Sequence, residues 1–505
     1  MSTPAAVSID GRSLTLESLR AVAMGGASVS LAADARARMA ASRAVVESIV
    51  ASGAAVYGVT TGFGKMSDIR IPADKLAELQ VNLVRSHVVG VGPLLPKREV
   101  RAMMALRANV LAAGYSGARP LVADLLIGML NADLWPPVPE QGSVGASGDL
   151  APLAHLALAL IGEGDLFRAD TRMPATQALT DAGLTPVALQ SKEGLALING
   201  TQAHAGIAAL AVGDAMILWE TAQLAGAATL DALLGTDAAF DPRIHDARGQ
   251  VGQTESAAKL LAILAGSGIR ASHRDRTSDP RVQDAYALRC MPQVHGPALD
   301  AIRFAQGLLA REINAATDNP MVFSDGTLLS GGNFHGQAGA MAADVLAIAL
   351  TNLATMSERR IDRLVNPDLN EGLPPFLAHE PGLHSGYMMA QVTAAAITSE
   401  CKILAHPASV DTIPTDGGKE DVVPMAMGAA TKLRRVVQNV TNVLAIELMC
   451  AAQAIEYRRP LRSSARIEEA VSRARTFVAP LKGDRVLSND IDALASAISA
   501  GTFLA

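Results

Sequence analysis

The chain is predicted to be mainly α-helical, a bundle of long helices, on three observations. Half of its 505 residues are hydrophobic but only 3% are aromatic, so alanine and leucine carry the apolar content and favour packed helices over sheet. Segments near 101–113, 120–133, 150–163, 193–234, 297–316, 337–364, 386–406 and 425–458 are Ala/Leu-rich and nearly free of proline. Most of them end at glycine or proline, which stop helices. In the last segment Val436, Val440, Val443, Leu444, Glu447 and Ala451 recur at three- and four-residue spacing, the period of one helix face.

In chain order, the first hundred residues mix short apolar runs with Gly and Pro, as in Tyr57–Gly64 and Gly90–Pro96. They read as shorter helices and loops. From about Val100 the long segments begin, so two regions are expected: a compact one over 1–110 carrying the Tyr57 loop, and a helical bundle over 111–505. Pro424 suits the first turn of the final long helix and Pro460 closes it. Thirty-odd residues at 1.5 Å each make a rod of about 50 Å. Rods apolar on more than one face imply further burial by other subunits, hence a homo-oligomer.

A net charge of −6 argues against nucleic acid or an anionic membrane as partner. Asp214, Glu220 and Asp344 interrupt the apolar stretches, so no membrane span is expected. Met1–Asp10 lacks the basic and apolar regions of a secretory signal. Cys290, Cys401 and Cys450 are too scattered for a disulfide framework or a zinc site. No metal and a reduced, cytoplasmic setting are expected. Gly90-Val91-Gly92-Pro93 lacks the third glycine of a dinucleotide loop, and Gly418-Lys419 precedes Glu420 where a phosphate loop needs Ser or Thr.

The segment Gly142–Pro152 carries the most chemistry. In Ala146-Ser147-Gly148 the nitrogen of Gly148 can attack the carbonyl of Ala146, and loss of two waters then leaves a methylidene-imidazolone. Gly148 leaves its nitrogen unhindered and permits the backbone angles of a five-membered ring. Ser147 supplies the hydroxyl that is lost, Ala146 does not crowd the closure, and Asp149 is placed to accept a proton. The product is an electrophile that no ordinary side chain supplies. The tripeptide alone is weak evidence, since about one chain in five of this length contains it by chance. A second copy, Ala51-Ser52-Gly53, has no acid after it and reads as a small-residue turn opening a buried helix.

Other polar segments gather around it. Tyr57 lies among Val56, Gly58, Val59, Thr60, Thr61, Gly62 and Gly64, a backbone able to fold tightly around a pocket. Tyr286 lies in Gln283-Asp284-Ala285-Tyr286-Ala287-Leu288-Arg289-Cys290. A phenol of depressed pKa can act as a general base, and Arg289 can hold a carboxylate bidentately. Asn199-Gly200-Thr201 puts an amide at the start of a buried helix. Thr317-Asp318-Asn319-Pro320 ends a helix, and Gly331-Gly332-Asn333-Phe334-His335-Gly336 can bring an aromatic face to a ligand. Each of these alone also fits an ordinary cap, turn, core aromatic or surface ion pair.

As an ordered set, from about Leu14 to Ser463, these segments resemble one family, the histidine, phenylalanine and tyrosine ammonia-lyases. Its motifs are Tyr-Gly-x-x-Thr-Gly-Phe-Gly, Gly-x-Val-Gly-Ala-Ser-Gly-Asp-Leu, Asn-Gly-Thr, Asp-x-Tyr-x-Leu-Arg-Cys-x-Pro-Gln, Asp-Asn-Pro and Gly-Gly-Asn-Phe. The resemblance implies a helical homotetramer in which each active site takes residues from three subunits. It implies a prosthetic group formed from Ala146, Ser147 and Gly148 with no external cofactor. It implies that Tyr57 removes the β-proton and that Arg289 and Asn199 hold the substrate carboxylate. Tyr286, Gln283, Asn319 and Phe334 then shape or polarise the site.

Ser86-His87 resembles the pair found in the histidine enzymes, where an imidazole can hydrogen-bond a second imidazole. Glu420-Asp421 resembles them too, with Glu420 facing the substrate. The implied reaction is deamination of L-histidine to trans-urocanate. Lys419, Val422 and Tyr387 depart from the usual pattern and point to a changed pocket, with Lys419 pairing with Glu420 or recruiting a ring substituent. Other aryl-alanines, a modified histidine, and an aminomutase outcome share the same catalytic residues. An inactive helical scaffold is opposed by the presence of Ser147, Tyr57 and Arg289. The Gly-Ser-Ser-x-Met-Pro loop of the related fumarate-type lyases is absent.

Overall fold

A computed structural model describes residues 6–274 and 281–504; Met1–Ala5, the first half of the Met1–Asp10 segment that lacks the regions of a secretory signal, lie outside them. Helices dominate. They are α1 (Leu16–Ala23), α2 (Ala33–Ser52), α3 (Leu76–His87), α4 (Lys97–Ala112), α5 (Pro120–Asn131), α6 (Leu150–Leu160), α7 (Ala175–Asp181), α8 (Glu193–Ile198) and α9 (Gln202–Ala232). There follow α10 (Pro242–Arg248), α11 (Val251–Leu264), α12 (Gly268–Ala271), α13 (Tyr286–Arg289), α14 (Met291–Glu312) and α15 (Gln337–Val365). The last are α16 (Met388–Leu404), α17 (Ala426–Tyr457), α18 (Ala465–Arg475) and α19 (Ser488–Ser499).

The differences from expectation have local causes. The 193–234 stretch is two helices, because Asn199 takes extended backbone and Gly200 adopts φ 143, neither of which continues a helix. Helix α14 starts at Met291, runs through Pro297 and ends at Glu312, so the Asp318-Asn319 segment follows the helix by several residues. Met425 turns left-handed at φ 51, which delays α17 until two residues after Pro424. Ala51-Ser52-Gly53 closes α2 at the surface, with Gly53 capping it at φ 69, rather than opening a buried helix. Among the described residues two helices, α9 and α15, are long and apolar enough to cross a membrane, but 78% and 67% of their most apolar stretches are buried within the protein. Packing, not interruption by Asp214, Glu220 or Asp344, accounts for their composition.

The chain divides into two compact units, one of 1–213, 306–344 and 407–431, the other of 214–305, 345–406 and 432–505. The boundary expected near 110 falls inside α4. In the first unit α4 is buried from Glu99 to Ala112, its apolar side chains packing with those of α5, α6 and α8 such as Leu126, Leu153 and Leu197. Short strands tie its loops: β1 (Val7–Ile9) pairs with β2 (Val29–Leu31) in parallel, and β3 (Val91–Leu94) pairs with β5 (Pro139–Gln141). A three-stranded sheet joins β4 (Leu134–Trp135), β6 (Asp165–Arg168) and β7 (Thr171–Pro174), and β8 (Met321–Val322) pairs with β9 (Leu328–Leu329).

In the second unit the predicted face of α17 is buried, Val436, Val440, Val443, Leu444 and Ala451 included. Glu447 lies on the same face and has no exposed surface, yet it is fully partnered. Arg360 holds both of its oxygens, at 2.5 and 2.8 Å, while Thr229 and Ser357 donate hydroxyls. A buried carboxylate requires such a set. Tyr387 is also fully buried in this unit, its hydroxyl without a partner among the described residues. Burial, the largest influence, drives its phenol far above the usual range. Tyr387 is a core residue, and its departure from the family pattern says nothing about a pocket.

Candidate active site

Ala146 and Ser147 form part of the floor of a cleft of about 640 Å³ in the first unit, walled by Tyr57, Asn199, Asn319, Phe334, Lys419 and Glu420. Backbone geometry explains why this floor needs glycine. Gly148 takes φ 76 and lies against Gly200, whose carbonyl accepts from the Asp149 N–H at 2.7 Å. A Cβ on Gly148 would stand 2.1 Å from that carbonyl oxygen. One on Gly200 would stand 2.6 Å from both Gln202 Oε1 and Thr317 Oγ1. From the same turn, Asn199 Nδ2 donates to the Ser147 carbonyl at 2.8 Å.

A buried cation supports that turn from below. Arg107 NH1 donates to the carbonyls of Ala196 and Asn199 at 2.8 and 3.0 Å, and its NH2 reaches Gln202 Oε1. Burial pulls the Arg107 pKa to about 10, with Asp318 and Asp149 opposing. Asp149, expected to accept a proton, is committed elsewhere. Its Oδ2 accepts from Ala203 N, His204 N and His204 Nδ1 at 3.0, 2.9 and 2.8 Å, and its Oδ1 accepts from Ser143 Oγ at 3.0 Å. Burial pushes this carboxyl up, but His204 and the hydrogen bonds outweigh it and hold it below the ordinary range. Both of its oxygens are taken up in anchoring the start of α9 and Ser143.

Glu420 closes the cleft from the opposite side. Thr415 and Glu420 bridge through their backbones around a turn, one Glu420 oxygen accepts from Ser147 Oγ and the other from Thr415 Oγ1. Both are thus occupied, and Lys419 is exposed beside them rather than paired with Glu420. The same turn supports the Tyr57 loop. Asp416 Oδ1 accepts from Lys65 N at 3.3 Å, and a Cβ on Gly64 would fall 2.5 Å from Asp416 Oδ2. Gly58 is equally tight, since a Cβ there would lie 2.8 Å from Leu195 and 3.0 Å from Pro320.

Tyr57 itself is half-buried and faces acidic neighbours. Burial raises its phenol above the ordinary range, Asp416, Asp318 and Glu420 add to the rise, and a hydrogen bond from Gly64 N opposes it. The shift is opposite in sign to the depressed phenol expected of a general base. Asn319 is held by its own backbone N–H donating to Asp318 at 2.7 Å and by its Oδ1 accepting from Gly331 N at 2.8 Å. Asp318 in turn pairs with Lys192 at 2.8 Å.

Of the predicted residues, Gly148, His87, Gln283, Tyr286 and Arg289 are not in the lining of the cleft. His87 ends α3, with Nδ1 2.8 Å from the Leu83 carbonyl and 3.0 Å from Ser86 Oγ. Gln283, Tyr286 and Arg289 belong to the second unit. Tyr286 is 69% exposed, and the Arg289 guanidinium lies over its ring at 4.7 Å, a cation–π pair. Gln283 borders a small pocket with Arg281, Asp284 and Arg363. Sequence reasoning missed Asp416, Arg107, Lys192 and His204. Only Asp416 had a signal, a Thr-Asp-Gly-Gly turn just before Glu420.

The family description "aromatic amino acid lyase" matches residues 14–476. Histidine ammonia-lyase of Anaeromyxobacter sp. (strain K) is 56% identical over 501 residues, 98% of either chain. Among solved structures, histidine ammonia-lyase from Trypanosoma cruzi superposes with a TM-score of 0.91 at 42% identity, covering 99% of this chain and 94% of that one. Tyrosine aminomutase from Streptomyces globisporus superposes with a TM-score of 0.94 at 40% identity, covering 99% and 97%. With near-complete coverage on each count, the chain belongs to the aromatic amino acid lyase family.

Proposed function

We propose that the protein is an ammonia-lyase whose preferred substrate is L-histidine, releasing trans-urocanate and ammonia, with Ala146-Ser147-Gly148 cyclised to a methylidene-imidazolone. The observation that carries this reading is the setting of the tripeptide: Ser147 faces the cleft between Asn199 and Glu420, and Gly148 lies where only glycine fits. The ring, once formed, supplies an electrophilic methylene that makes the substrate amine a better leaving group. The 56% identity to a histidine ammonia-lyase supports histidine as the substrate.

The chain's own residues then divide the work. Tyr57 takes the β-proton as a phenolate, its oxygen steadied by the Gly64 N–H. Glu420, placed on the Ser147 hydroxyl, takes a proton from the substrate ammonium. Asn199 and Arg289 hold the carboxylate, the latter through its planar fork. Asn319, Phe334, Gln283 and Tyr286 shape the site, while His87 and Lys419 read the ring. His87 is outside the cleft lining, and Gln283, Tyr286 and Arg289 belong to the second unit; in a homotetramer, residues of this kind from other subunits complete the cleft. An exposed Tyr286–Arg289 pair is what such a shared site requires.

An aminomutase is the second reading, favoured by the superposition on tyrosine aminomutase. Incubating pure protein with histidine, tyrosine, phenylalanine and ring-substituted phenylalanines, while following ammonia and the ultraviolet absorbance of the conjugated acid, decides among these. Histidine is expected to give the highest kcat/KM. A protein inert to histidine but active on another aryl-alanine overturns the substrate, and a β-amino acid as main product overturns the lyase in favour of the mutase.

A further inference from the structure

Directly behind the tripeptide lies an ion pair that the steps above do not use. Asp149 and His204 have no exposed surface, and His204 Nδ1 stands 2.8 Å from Asp149 Oδ2. The imidazole occupies room that two glycines leave open. A Cβ on Gly336 would lie 2.6 Å from its Cε1, and one on Gly339 would lie 2.6 Å from its Cδ2. Gly336 N also donates to the Gly145 carbonyl at 3.0 Å. One ring therefore packs against the supports of both ends of Ala146–Gly148.

Burial alone would neutralise such a pair. Here burial is the largest influence on both groups, yet the Asp149 carboxyl stays below and the His204 imidazole above its ordinary range. Each charge holds the other, with Glu312 also acting on His204 and Arg107 on Asp149.

That charge bears on ring closure. A bond forms from Gly148 N to the Ala146 carbonyl carbon, and negative charge moves onto the Ala146 oxygen. One water then leaves with that oxygen and the amide protons of Ser147 and Gly148; a second leaves with the Ser147 hydroxyl and its α-proton. An uncompensated buried carboxylate on the next residue would oppose this charge build-up.

We propose that His204 is a positioning residue for ring closure: it neutralises and clamps Asp149, so that Gly148 is held against Gly200 without a net negative charge beside the reacting carbonyl. This rests on the proposed cyclisation and adds to it the group that lets a carboxylate stand there.

The test follows the intact mass of full-length protein purified at successive times after a short pulse of synthesis, with circular dichroism as the check on folding. Wild type is expected to lose two waters. His204→Gln, which removes the cation in contact with Asp149 and leaves only Arg107 acting on its charge, is expected to lose them at least about tenfold more slowly. Adding Asp149→Asn removes the unpaired charge and is expected to recover most of the rate, which a purely steric role for the ring does not predict. His204→Gln closing at the wild-type rate overturns the proposal. So does a double variant that is as slow as the single or fails to fold, since it no longer carries the Asp149 carboxylate. If His204→Gln fails to fold while the double variant folds and closes, charge compensation is supported. Wild type that retains both waters overturns the cyclisation itself, not the role of His204.

Discussion

Replacing Lys192 with methionine tests whether the wall carrying Asn319 depends on a buried charge pair. The side chains of Lys192 and Asp318 are 0% and 1% exposed, with Nζ 2.8 Å from Oδ2. At that separation the attraction is roughly 6 kcal/mol at an effective dielectric of about 20, which offsets the cost of drying both groups. Lys192→Met removes the cation and its desolvation cost but leaves Asp318 charged and buried. Arg107, whose charge Asp318 also stabilises, compensates in part. The expected loss is about 3–5 kcal/mol, nearer the lower figure because of Arg107. Lys192 sits at φ 75, and methionine bears the same backbone strain, so that contribution cancels. Urea unfolding followed by circular dichroism, at one fixed protein concentration, measures the loss. The kcat/KM should fall as well, because Asp318 accepts from the backbone of Asn319 in the cleft wall. Lys192→Met/Asp318→Asn should recover most of the stability. A loss under about 1 kcal/mol, or a double variant no better than the single, refutes the reasoning.

Tyr57→Phe removes only the ionisable oxygen and should lower kcat by about 10²- to 10⁴-fold with little change in KM; near-normal turnover means the base is another group. Asp416 is one of the carboxylates that add to burial in raising the Tyr57 phenol. Removing that negative charge lowers the phenol pKa, so Asp416→Asn should move the ascending limb of the kcat/KM–pH profile to lower pH; a limb that stays or rises contradicts the assignment. Ser147→Ala should abolish the loss of two waters and the turnover while preserving the circular dichroism spectrum, whereas Ser52→Ala, at an exposed helix end, should change neither. Arg289→Lys keeps the charge but loses the planar fork, and should weaken substrate and product binding alike; an unchanged product inhibition constant would remove Arg289 from the carboxylate site.

What could be read from the sequence alone was local. The long helices follow from alanine and leucine at helical spacing, and the Val436–Ala451 face of α17 is buried where that spacing puts it. The tripeptide and the Tyr57 loop are legible as short segments of distinctive residue types, and Glu420 through its resemblance to the histidine enzymes. Tertiary structure decided what depends on segments far apart in the chain. Glu420 reaches Ser147 across 273 positions, and no periodicity encodes that approach. Arg107 and Lys192 resemble surface cations in sequence, and only packing shows them buried against carbonyls and a carboxylate. Tyr387 departs from the family pattern in a way that points to a changed pocket, but it is buried in the core of the second unit. His204, five residues after Asn199, had no sequence signal because its role depends on room left by Gly336 and Gly339, two residues from another part of the chain. Composition and spacing place the long apolar helices to within a few residues and mark side chains with reactive groups. The charge and reach of each reactive group are set by its neighbours, and those are chosen by packing.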